Sequence, residues 1–82
     1  MNTKEFKKVA SSEDYSSTNG WGFQGWAGKR YTMIHDGITY VLSDGKWYYR
    51  HMVPDKYIRF YIDNEEVTLT YWNTKIDKIK MP

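Results

Sequence analysis

The sequence contains no cysteine, two prolines, two histidines and nowhere a run of ~18 apolar residues. Without cysteine there is no disulfide framework, no thiolate metal cluster and no thiol nucleophile, a composition that suits a reducing compartment. Met1 to Ala10 carries lysines but no apolar segment of signal-peptide length, so a soluble, cytoplasmic chain with no membrane partner is expected. At 82 residues the chain holds one domain with a small core, and disulfides are excluded as its reinforcement.

The means for catalysis are equally scarce. His35 and His51 are the only side chains that titrate near neutral pH. His35 precedes a turn and can simply be solvated, while His51 falls among apolar neighbours at the end of a predicted strand. No spacing groups histidines and carboxylates as metal ligands, so neither a metal nor any other cofactor is expected. Gly20-Trp21-Gly22-Phe23-Gln24-Gly25 matches G-x-G-x-x-G by letter, but it follows a Ser/Thr/Asn loop and opens no helix. The expectation is a domain without catalytic activity of its own.

What the chain does have is aromatics, 18% of residues with eight tyrosines and four tryptophans, against an ordinary apolar total of 40%. Aromatic rings are therefore expected on the surface. The formal charge of +2 is unevenly spread, with six basic and three acidic residues between 29 and 62.

Residues 1–28 read as a polar and Gly/aromatic segment, and residues 29–82 as an antiparallel β domain. Thr3, Phe6 and Val9 are compatible with a turn or two of helix, and Ser11 to Asn19 reads as loop. Asp36-Gly37 and Asp44-Gly45 are hairpin dipeptides flanked by β-branched and aromatic residues. Pro54-Asp55 and Asp63-Asn64-Glu65 supply two further turns. Five strands follow, near 30–35, 38–43, 46–52, 57–62 and 66–72. They form a mainly all-β, five-stranded antiparallel meander or small, partly open barrel.

A two-residue loop at each Asp-Gly sets the register. Tyr31 then faces Leu42 and Met33 faces Tyr40, while Leu42 faces Trp47, Tyr40 faces Tyr49 and Ile38 faces His51. A loop from Val53 to Lys56 sets Trp47 against Ile62, Tyr49 against Phe60 and His51 against Ile58. The last hairpin adds Ile62 with Val67 and Phe60 with Leu69. These residues form one apolar face, which Trp21, Phe23 and Trp26 can cover as a lid; if they do not, two copies can pack around a two-fold axis as a homodimer. The same rings, left exposed beside Lys29 and Arg30, would instead stack on bases.

The other face is basic and aromatic, with Arg30, Lys46, Tyr48, Arg50, Tyr57, Arg59, Tyr61 and Trp72 among threonines. Between residues 30 and 62 every carboxylate, Asp36, Asp44 and Asp55, falls in a predicted turn, and Arg50 is set opposite Arg59. Opposed like charges on a sheet are unfavourable, and an anion between them relieves the repulsion. A solvated sheet face often carries threonine, arginine and tyrosine with no role in binding. Rings interleaved with guanidinium groups, however, are what a sheet needs to hold single strands, with rings on bases and cations on phosphates. The expected function is non-enzymatic binding of RNA or single-stranded nucleic acid through Lys29, Arg30, Lys46, Tyr48, Arg50, Tyr57, Arg59 and Tyr61.

One rival is a protein-interaction module that uses an edge strand or aromatic patch. Another is carbohydrate binding, which ranks lower because sugar sites usually set carboxylates and amides beside the rings. The short, Lys/Asn/Tyr-rich style, free of known motifs, resembles phage accessory proteins that antagonise host enzymes. That resemblance implies a host protein partner such as a nuclease or ribonuclease toxin, inhibited with RNA bridging the two.

Overall fold

The computed structural model describes residues 1–18, 24–49 and 55–80. Seven elements follow one another: α1 (Thr3–Val9), β1 (Ser11–Thr18), β2 (Gln24–His35), β3 (Ile38–Tyr49), β4 (Asp55–Ile62), β5 (Glu65–Val67) and α2 (Leu69–Asp77). The five strands form one antiparallel sheet in chain order, open at the β1 and β5 edges and not closed into a barrel. The protein measures 43 × 21 × 21 Å, its long axis matching the ~40 Å of a twelve-residue strand.

The expected number of strands is present, but several lie elsewhere than expected. Asp36-Gly37 forms the β2–β3 turn, with φ of 50° and 77° at the two central residues, as a type I′ hairpin requires. Tyr31 accordingly faces Leu42 and Met33 faces Tyr40. Asp44-Gly45 makes no turn. It continues β3, with Asp44 opposite both Lys29 and Ile58 and Gly45 opposite both Gly28 and Tyr57. The partner that keeps this segment extended is the first half of β2, read from the sequence as irregular because of its glycines. Asp44 and Asp55 therefore stand in strands.

The β4–β5 connection is also tighter than expected. Asp63 and Asn64, with φ of 51° and 68°, close a two-residue turn that sets Ile62 against Glu65 and Phe60 against Val67. The sequence reading had Ile62 facing Val67. β5 then stops, because Thr68 caps a helix: its hydroxyl accepts the Tyr71 N–H at 3.2 Å. Leu69 and Trp72, expected in a strand, are helical, and Trp72, Ile76 and Ile79 fall on one helical stripe and are buried. β1, read as loop, pairs with β2 along its whole length, from Ser11 opposite Thr32 to Thr18 opposite Gly25.

The apolar face has a cover, and it comes from the two helices. α1 starts at a capping box in which the Asn2 side chain accepts the Glu5 N–H at 2.8 Å and Glu5 accepts the Asn2 N–H at 2.9 Å. Phe6 and Trp72 meet edge to face at 5.0 Å over Tyr40, Leu42 and Phe60. Tyr31, Met33, Ile38, Ile58, Ile62 and Val67 complete the layer. The Met1 ammonium donates to the Ile76 and Ile79 carbonyls at 2.9 and 2.6 Å, which joins α1 to the C-terminal end of α2 where cations are favoured. Burial, with the Asp63 and Asp36 carboxylates nearby, pushes the Tyr40 phenol above its ordinary value. Because this face is closed by the chain's own helices, the stated motive for a two-fold dimer through it disappears. Trp21 and Phe23, the other residues of the expected lid, lie outside the described residues.

Candidate nucleic-acid interface

Among the described residues, the opposite side of the sheet carries no helix. Alternation along the strands puts Tyr15, Trp26, Arg30, Ser43, Trp47, Tyr57, Arg59 and Tyr61 on it. At its centre Gly28 and Gly45 face each other. A Cβ on Gly28 would run into the Asp44 carbonyl, and one on Gly45 would stand 2.6 Å from Cζ2 of Trp26. Gly45 thus leaves room for the Trp26 indole, which is nearly buried against it, its Nε1–H donating to the Tyr57 carbonyl at 3.0 Å. Trp26 is therefore neither a lid on the apolar face nor a free stacking ring. It supports Tyr15, 5.5 Å away, while Trp47 packs on Tyr57 at 5.7 Å. Tyr15 and Trp47 are exposed, and Tyr57 and Tyr61 half-buried.

Among the described residues two arginines lie on this side. The Arg30 guanidinium lies 5.5 Å from the Tyr15 ring and its residue faces Glu13 on one neighbour and Ser43 on the other. Arg59 sits over the Tyr57 ring at 4.4 Å, and its Nη1 donates to both Glu66 oxygens at 2.5 Å. The expected confrontation of Arg50 with Arg59 does not occur, since the strand neighbour of Arg59 on β3 is Ser43. Arg50 itself lies outside the described residues, as does His51. A depression of about 140 Å³ is bounded by Tyr15, Trp26, Ser43, Tyr57, Arg59 and Tyr61.

The sequence-predicted site therefore divides between two faces. Arg30, Tyr57, Arg59 and Tyr61 share the open side, while Lys29, Lys46 and Tyr48 point to the helix-bearing side, beyond the helices. For Lys46 and Tyr48 the cause is the missing turn: a two-residue loop puts Val41 and Tyr48 on one face, whereas a continuous strand puts them on opposite faces. Trp47 changes sides with them and joins the rings. On the helix side Lys29 alternates with Asp14 and Asp44, and Asp44 also pairs with Lys7 from α1. Lys46 faces Lys56 directly, both exposed, and among the described residues neither has a carboxylate within ion-pair distance. These lysines are not the like-charged pair expected from the sequence, and they stand on the helix-bearing side of the sheet.

Tyr15, Ser43, Glu13 and Glu66 were missed by the sequence reading. Tyr15 was the one legible signal, a lone ring in a Ser/Thr stretch. His35 lies 3.4 Å from Asp36 at the hairpin turn, away from the rings. The described residues contain no His/Asp/Glu group able to hold a metal ion and no helix long and apolar enough to cross a membrane. Compared with protein-family models, curated proteins and solved structures, the chain matches none of them.

Proposed function

We propose that this chain is a non-enzymatic binding domain for single-stranded nucleic acid, RNA in particular, that uses the open side of its sheet. The supporting observation is one continuous surface on which Tyr15, Trp47, Tyr57 and Tyr61 stand beside Arg30 and Arg59, with the reverse side closed by two helices. A sheet of this kind offers rings for bases to stack on at ~1–3 kcal/mol per base. Arg59 lies on the part of β4 that β5 leaves unpaired, where a sugar-phosphate backbone following the edge meets it. In this reading a host nuclease or ribonuclease toxin is engaged through RNA held by both proteins.

A second reading, a protein-interaction module, is favoured by one feature. Arg30 and Arg59 on the open side have carboxylate neighbours, Glu13 and Glu66, and a charge-balanced patch of Tyr, Trp and Arg is typical of protein interfaces.

Anisotropy titration of a labelled single-stranded RNA over a range of salt separates the two. Arg30→Gln, on the open side, is expected to lower the slope of log affinity against log salt by ~0.7, one phosphate contact, and to weaken all sequences alike. Tyr61→Ala is expected to weaken binding by ~1–3 kcal/mol with an unchanged slope, because stacking releases no counterions. Absence of RNA binding, together with salt-insensitive capture of a protein, would establish the second reading instead.

A further inference from the structure

We infer that the depression on the open side is a pocket for one unpaired guanine, a conclusion that rests on the nucleic-acid reading above. Its walls are Tyr15, Trp26, Tyr57 and Tyr61, and its polar groups are the Ser43 hydroxyl and the Arg59 guanidinium. At about 140 Å³ it takes a single planar heterocycle splayed out of its strand. Ring walls accept any base, so the choice falls to the polar groups.

Arg59 is built to make that choice. Its Nη1 is anchored on both Glu66 oxygens and its plane lies over Tyr57, so the fork is held before a ligand arrives. Its Nη2 and Nε donors have no partner among the described residues. Two parallel donors require two adjacent acceptors. Guanine offers them as O6 and N7, whereas adenine sets an amino donor beside its N7. Uracil's acceptors are separated by an N–H. Cytosine has O2 and N3, but its single ring covers less of a wall made from four aromatic side chains. Guanine therefore satisfies both the fork and the rings.

The test is the affinity of short oligouridines that carry one central guanine, adenine or cytosine, measured by anisotropy at fixed salt. The expected result is that the guanine oligomer binds roughly tenfold or more tightly than the other two, as one bidentate contact contributes. Arg59→Lys, which keeps the charge and loses the fork, is expected to bring the guanine oligomer down to the level of the others. Equal binding of all oligomers by the parent would overturn the guanine pocket while leaving the nucleic-acid reading in place. So would a guanine preference that survives Arg59→Lys, or a preference for cytosine. Failure of every oligomer to bind would overturn both.

Discussion

Trp72→Ala is expected to lower stability by ~3–5 kcal/mol, the largest effect of any single side chain in this fold. A domain of this length has roughly 4–12 kcal/mol in all. Trp72 is fully buried and touches Phe6 from α1, Tyr40 from β3 and Phe60 from β4, so its removal opens a cavity where three elements meet. Urea unfolding followed by far-UV circular dichroism measures it. Tyr71→Ala, at the exposed neighbouring position, should change stability by no more than ~0.5 kcal/mol. Trp72→Phe should cost less than Trp72→Ala, partly because the Trp72 Nε1–H is buried without a hydrogen-bond partner among the described residues. An unchanged urea midpoint for Trp72→Ala would mean that α2 does not pack on the sheet.

Gly45→Ala should also have a large effect, through one methyl group. The added Cβ meets the Ala27 carbonyl and stands 2.6 and 2.8 Å from Cζ2 and Cε2 of Trp26. Overpacking of this kind costs ~1–3 kcal/mol, and here the indole must also leave its seat and give up the Tyr57 carbonyl. The ring-lined depression then loses a wall, so weaker RNA binding is expected together with the lower stability. A shift of the Trp26 indole N–H resonance in the folded variant would report the displacement. Gly37→Ala is the contrast. Its φ of +77° makes alanine costly by ~1–2 kcal/mol, but nothing lies within 4 Å and the rings are far away, so RNA affinity should hold. Parent-like stability and an unmoved Trp26 resonance in Gly45→Ala would contradict the seating of Trp26 against Gly45.

These two positions also show how much of the protein was legible in its sequence. The apolar residues of β2, β3 and β4 alternate, so Tyr31, Met33, Ile38, Tyr40, Leu42, Ile58, Phe60 and Ile62 could be assigned to one face correctly. The Asp36-Gly37 turn was equally plain, because only a few dipeptides accept two positive φ values. Asp44-Gly45 carries the same letters, yet its glycine answers a steric demand from Trp26, a residue distant in sequence. A local motif cannot distinguish the two cases. β1 was hidden for another reason: an edge strand exposed on both sides needs no apolar alternation, and Ser11–Thr18 has none. α2 was masked by Val67, Thr68, Leu69 and Thr70, which read as strand, although Trp72, Ile76 and Ile79 already carried a helical period. The site inherited these errors, since one unmade turn moves Lys46, Tyr48 and Trp47 to the other side of the sheet.

The most direct test of binding through the open side is a ¹H–¹⁵N correlation spectrum of the labelled protein, recorded with and without a single-stranded RNA. The expected result is movement of the Trp26 and Trp47 indole signals and of the amides of Tyr15, Arg30, Ser43, Tyr57, Arg59 and Tyr61, while the Trp72 indole and the α1 and α2 amides stay in place. A spectrum unchanged by excess RNA, or shifts confined to the two helices, would contradict it.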